Sequence, residues 1–267
     1  MPTQGSSAYA DRVPRLLKLS YAIGASAETI FGVAFNAFNF FFYTNIMGIP
    51  GTLAGLAITI ALIFDAITDP LVGAISDRWR SKLGRRHPFM FAAPLPVMIC
   101  LFFIYSPPDF LGDSGLFLWL TVLTVLMRTS ITLFHVPHLA LGAELSADFT
   151  ERTRVMSLNT LLGGLGGYGT YIIALTFFFN KTPEFDNGLL NAAAYPSLAI
   201  SAALLGGAVM LVSTLLTLKV VPLLPPMPDS IERFSFSSFF LDVKSALTNR
   251  NYLMLLIGYL LLSATLG

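Results

Sequence analysis

The chain has 267 residues, of which 55% are hydrophobic and only 12% are Asp, Glu, Lys or Arg, with a net charge of +1. Soluble domains carry about 25% charged residues, so too little polar surface remains here to cover a water-soluble globule, and disorder is excluded by the same imbalance. The single cysteine, Cys100, excludes a disulfide scaffold, and the near-neutral charge gives no field for nucleic acid.

What remains is an integral membrane protein, with a mean hydropathy of +0.72. Residues 1–18 are expected to form a cytoplasmic tail, and the polar start has no short apolar core of the signal-peptide kind. Apolar runs long enough to cross a bilayer then fall near 19–47, 52–76, 88–106, 115–142, 155–180 and 191–221, making a six-helix domain over 19–221. The connections alternate in charge. Arg12, Arg15 and Lys18 precede the first span, and Arg78, Arg80, Lys82, Arg85 and Arg86 fill the second connection. Arg152 and Arg154 lie in the fourth, and Arg233, Lys244 and Arg250 in the sixth. Basic loops stay cytoplasmic, so the N-terminus is expected inside.

Residues 222–250 read as a cytoplasmic linker, Pro-rich at first and then a short amphipathic helix over 237–249, with Phe239, Phe240, Val243 and Leu247 on one side. A seventh apolar run covers 251–267 and has no polar cap. The expectation is a partial chain.

An ionisable side chain at the centre of a membrane helix costs about 2.5–3.5 kcal/mol, so each one needs a reason. Gly24, Glu28, Gly32, Asn36 and Asn39 follow one another at helical spacing on the first span. Asp65, Thr68 and Asp69 share a face of the second, and Thr121, Thr124, Arg128, Thr132 and His135 form a stripe on the fourth. Three facing stripes would line a polar cavity near mid-membrane. Two carboxylates one turn apart repel when both are ionised. A bound cation, a proton or the Arg128 guanidinium must compensate them, and the oxygen donors suit a hard cation. Glu28 is open to pairing with Arg128. His135 has three open roles: carrying a proton, binding substrate or packing.

Other residues read as structure. Gly163 and Gly167 in the fifth span make a small-xxx-small pair for close helix approach. His135 and His138 are separated by Pro137 and form no zinc motif with His87. Nucleophile–base arrangements of the hydrolase kind are missing from the sequence, so no enzyme activity and no cofactor beyond a coupling ion are expected.

The stretch Asp65-Ala-Ile-Thr-Asp69-Pro70-Leu-Val-Gly73, followed by Asp77-Arg78 and Gly84-Arg85-Arg86-His87-Pro88, resembles the glycoside–pentoside–hexuronide:cation symporters of the major facilitator superfamily. Leu19-Ser20-Tyr21, Tyr43-Thr44, Phe134-His135-Val136-Pro137 and Glu151-Arg152-Thr153-Arg154 also fit, so the resemblance covers all six spans, the linker and the start of the seventh helix. It implies an all-α membrane fold, the N-terminal half of a two-halved transporter, with its C-terminal half as partner. It also implies that Asp65, Asp69, Thr68 and Thr132 hold the coupling cation, Na⁺ or H⁺. Glu28, Asn36, Asn39, Arg128, His135 and Asn159 are the expected substrate contacts. Gly73, Asp77, Arg78, Gly84, Arg85 and Arg86 are the expected gating motif, latching one state against the other half. The family's sugar permease has Lys-Asp where this chain has Glu28-Thr29, Asp where it has His135, and Trp where it has Leu139. The Asp-Ala-Ile-Thr-Asp-Pro and Phe-His-Val-Pro stretches are similar also to the sodium-dependent lysophospholipid symporters. The implied function is cation-coupled symport of a sugar or glycoside across the plasma (inner) membrane. The alternatives are symport of a lysolipid and, lower, a non-transporting sensor or scaffold.

Overall fold

The computed structural model describes residues 12–224, 235, 239, 241, 243–245 and 248–266, with side chains as far as 258. The chain falls into two units, Met1–Met227 and Pro228–Gly267. The first holds six helices: α1 (Arg15–Asn36), α2 (Gly51–Arg78), α3 (His87–Ile104), α4 (Asp113–Glu144), α5 (Phe149–Phe178) and α6 (Ala194–Leu223). In the second, α7 runs over Arg250–Leu266. The tail through residue 11, most of the Pro-rich linker with Arg233, and most of the expected 237–249 helix lie outside the described residues.

Helices α2 to α6 are each long and apolar enough to cross a membrane. Helix α1 is 22 residues long and carries Lys18, Ser20, Ser26, Glu28 and Thr29, which lower its hydropathy. Its apolar continuation is broken: the helix ends at Asn36, a turn follows, and residues Asn39–Phe41 and a π-turn at Phe42–Ile46 resume it. The helices also outrun the apolar stretches at their charged ends. Arg78 and Glu144 are helical although they lie beyond the hydrophobic segments, because a chain leaving the bilayer need not leave the helix.

Helix α1 lies against α5 on one side and α6 on another. The α1–α5 contact is made by glycines. A Cβ on Gly166 would lie 2.8 Å from the Ser26 Cα, so no larger residue fits without moving the helices apart. At that range side-chain hydroxyls reach across to backbone. Ser26 Oγ donates to the Leu162 carbonyl at 2.8 Å and Thr29 Oγ1 to the Gly163 carbonyl at 2.7 Å. The glycine run of the fifth span is therefore a packing device. On the other side Ser213 Oγ of α6 donates to the Ser20 carbonyl at 2.8 Å.

The two ends of the bundle differ in chemistry. One is an aromatic plug of Phe38, Phe42, Tyr43, Tyr105, Phe179 and Tyr195. Its hydroxyls are anchored on backbone, Tyr43 on Ile104 at 2.8 Å and Tyr105 on Ala34 at 2.6 Å. The other end is ionic. Arg86, 6% exposed, reaches Asp77 Oδ1 at 3.0 Å and Glu144 Oε1 at 2.5 Å, and Arg85 shares that same Glu144 oxygen. Gly84 turns the chain here at φ +77°, in the left-handed region that favours glycine. Glu151, 1% exposed, binds Lys18, the Val13 amide at 3.1 Å and Arg154 at 3.4 Å. Its own amide donates to the Asp148 side chain at 2.7 Å, which caps α5.

Candidate functional site

The three polar stripes meet, and α4 is the helix that joins them. Arg128 Nε donates to Asp65 Oδ2 of α2 at 2.5 Å, and one turn on Thr132 Oγ1 donates to Asp69 Oδ1 at 2.7 Å. One turn further, His135 Nδ1 lies 2.8 Å from Glu28 Oε2 of α1, and His138 Nδ1 lies 3.4 Å from Glu28 Oε1. The spacing 128, 132, 135, 138 is the ordinary helical one. A single face of α4 therefore carries a cation, a hydroxyl and two imidazoles, and every charged partner is a carboxylate on a neighbouring helix.

Of the open pairings, Arg128 takes an α2 carboxylate and not Glu28. Arg128 pairs with Asp65, and Glu28 pairs with the two histidines. His138, which stands outside the expected substrate set, is buried at 2% exposure and is part of the cluster. Its signal was the i, i+3 spacing from His135 on a helix whose other members already faced carboxylates.

The donor set near α2 has free valence. Asp65 Oδ1 and Thr68 Oγ1 are buried and have no hydrogen-bond partner, although Asp65 Oδ2 and Asp69 Oδ1 are engaged. A buried carboxylate oxygen and a buried hydroxyl left without donors fit a small hard cation, which needs oxygen ligands and supplies the missing positive charge. Among the described residues no group of three His, Cys, Asp or Glu is placed to hold a metal, so this is a two-carboxylate, hydroxyl-completed arrangement.

The remaining expected residues scatter. Asn36 lines a groove of about 640 Å³ between α1 and α5, together with Thr29, Gly163, Gly167, Tyr168 and Tyr171. Asn159 of α5 has its buried Oδ1 unpartnered. Asn39 departs from the expected stripe. The break after Asn36 rotates it into the core at 1% exposure, with both side-chain polar atoms unpartnered. Thr121 bonds the Phe117 carbonyl at 2.7 Å, and Thr124 is fully buried with its hydroxyl unpartnered.

Within the gating motif, Arg86 also reaches Asp77 Oδ1 at 3.0 Å. Arg85 and Arg86 close on Glu144 within this same half. Arg78 Nη1 donates to the Ala74 carbonyl at 3.3 Å, and Gly73 packs on Val136 of α4. Glu144 and Glu151 are the members that sequence reasoning missed as charge partners. Both stand at helix ends, where a carboxylate is ordinary.

The family described as MFS/sugar transport protein matches residues 20–267. The chain is 30% identical over 189 residues to the inner membrane symporter YicJ of Escherichia coli strain K12, covering 68% of this chain and 41% of that one. It is 29% identical over 161 residues to the putative glycoside/cation symporter YagG of the same organism, covering 59% and 34%. It is 32% identical over 154 residues to the sodium-dependent lysophosphatidylcholine symporter 1 of Mus musculus, covering 56% and 29%. The matched regions thus span less than half the length of these relatives. With a match running from the first helix through the seventh, the chain belongs to the MFS/sugar transport protein family and forms the N-terminal six-helix half of that fold with the start of helix seven.

Proposed function

We propose that the chain is the N-terminal half of a cation-coupled secondary symporter that carries a sugar or glycoside by alternating access, and that it is not an enzyme. The observation that carries the reading is the pair of buried unpartnered oxygens, Asp65 Oδ1 and Thr68 Oγ1, beside the Asp69–Thr132 hydrogen bond. Sodium, or a proton in its place, is co-substrate there, held by Asp65, Asp69, Thr68 and Thr132. Glu28, Arg128 and His135 of the cluster, with Asn36 from its groove and Asn159 from α5, bind the transported molecule; Asn39, buried in the core, is left out. Symport requires that each ligand raise the affinity for the other, and rocking of two halves about a midplane site is the motion that fits the fold. Gly73, Asp77, Arg78, Gly84, Arg85 and Arg86 form the cytoplasmic latch. On this reading the N-terminus is cytoplasmic, the membrane is the plasma (inner) membrane, and the partners are the bilayer, the small-molecule substrate and the C-terminal half.

The test is sodium- and pH-dependent uptake by the full-length protein in proteoliposomes against a panel of glycosides. Asp65→Asn and Asp69→Asn should abolish cation stimulation. Cation-dependent uptake that survives both substitutions overturns the assignment. A second reading, symport of a lysolipid, is favoured by the apolar groove beside Asn36 and its two tyrosines. Uptake of a lysophospholipid that free glycosides do not compete selects it.

A further inference from the structure

The Glu28–His135–His138 cluster leaves one carboxylate oxygen facing an imidazole nitrogen with no hydrogen between them unless the ring is doubly protonated. His138 Nε2 lies 2.9 Å from the Tyr21 carbonyl oxygen. A carbonyl only accepts, so Nε2 carries a hydrogen. In a neutral imidazole the other nitrogen, Nδ1, then presents a lone pair. That lone pair would face Glu28 Oε1 at 3.4 Å, an oxygen that is buried and makes no hydrogen bond of its own. A lone pair against a buried carboxylate is repulsive, and no other donor reaches that oxygen.

We propose that Glu28 and His138 form a proton-binding site in which His138 is held as the imidazolium, distinct from the Asp65–Asp69 cation pair. Three features place the proton on the ring. The His138 ring is stacked between Tyr21, centroids 4.3 Å apart, and Phe134, 4.9 Å apart, and aromatic faces favour a cation. Glu28 Oε2 is already engaged by His135 Nδ1 at 2.8 Å, which favours the carboxylate form. Glu28 is 16% exposed and His138 2%, so the low local dielectric strengthens the pair.

The groups acting on the site come from several helices. Helix α1 supplies Glu28 and Tyr21, and α4 supplies His135. Asp69 of α2 acts electrostatically on His135. Helix α5 offers Met156, which receives the Tyr21 hydroxyl at 3.9 Å, and α6 offers Ser213 near Gly24; neither is charged. His135, 48% exposed, is the accessible member of the cluster and contacts Glu28 directly. Protonated, the site clamps α1 to α4. Deprotonated, carboxylate and lone pair repel and the clamp loosens.

The test is ¹⁵N NMR of the full-length protein, histidine-labelled, in detergent micelles and sodium-free choline buffer at pH 7. The His138 resonances are identified by their loss in His138→Gln, and independently by their persistence in His135→Gln. Both His138 nitrogens should be protonated in the wild-type protein. In Glu28→Gln, whose amide can donate to the ring, Nδ1 should lose its hydrogen. An unprotonated Nδ1 in the wild type, or a doubly protonated ring that persists in Glu28→Gln, overturns the proposal.

Discussion

Replacing Arg128 by Gln should tighten sodium binding by the full-length transporter about tenfold. The guanidinium holds Asp65 Oδ2 at 2.5 Å while Asp65 Oδ1 stays without a partner. A cation taken up on the free oxygen therefore sits near a fixed positive charge. Two unit charges about 6 Å apart repel by about 3 kcal/mol at an effective dielectric of about 20. The Arg128 side chain is 26% exposed, and solvent screening removes roughly half of that. About 1.4 kcal/mol remains, a factor of about ten in affinity. The substitution also leaves two carboxylates one turn apart with less compensation, so the variant should melt lower in choline and regain more of its stability in sodium. Isothermal titration of purified protein with sodium chloride against a choline background gives the dissociation constant. A variant that still melts cooperatively but binds sodium equally or more weakly would refute the reasoning. Arg128 would then be a positioning group for Asp65, not a competing charge.

Two further outcomes follow from packing and from the ionic end. Gly166→Ala should lower the melting temperature by an amount equivalent to about 1–3 kcal/mol, because its Cβ meets the Ser26 Cα at 2.8 Å. Gly169→Ala, where nothing lies within 4 Å, should be neutral or stabilising by up to about 1 kcal/mol; equal loss in both variants would remove close helix approach as the cause. Glu144→Gln should cost about 2 kcal/mol, since it removes the charged acceptor shared by Arg86, 6% exposed, and Arg85, while Asp77 stays on Arg86. It should also speed tryptic cleavage at Arg80 and Lys82, which limited proteolysis reads directly.

The polar faces of the bundle were readable because charge inside an apolar helix is rare. Glu28, Asp65, Asp69, Arg128 and His135 stand out on those grounds alone, and helical spacing places them on three faces. Their pairing was not readable. Whether Glu28 meets Arg128 or His135 depends on how α1 and α4 are rotated and shifted against each other, and a single sequence holds no record of that. The α2–α4 contact takes Arg128 first. Asn39 shows the limit of periodicity: its place on the stripe assumed an unbroken helix, and the turn after Asn36 moved it into the core. The glycines of α5 were legible as a packing surface, but which α1 residues they admit, Ser26 and Thr29, required coordinates. Glu144 and Glu151 stayed hidden because charge at a helix end attracts no notice, whereas burial at 1% for Glu151 does.

The arrangement makes α4 the element through which events on α1 and α2 can be linked. Arg128 and Thr132 hold the α2 carboxylates, and His135 and His138 hold Glu28 of α1. All four lie on one face of one helix, so a rotation or shift of α4 that changes one contact changes the others. Coupling needs a shared element whose position both sites bias, and a rigid helix touching both is such an element. Direct α1–α2 contact is unnecessary. The same logic separates the roles of the two carboxylate sites. Asp65 keeps an oxygen without a partner, and Glu28 has each oxygen facing an imidazole nitrogen. A group with an open valence gains by binding a cation from solution. A group whose two oxygens both face imidazoles responds to a proton entering or leaving, and meets a substrate only by giving up one of those contacts.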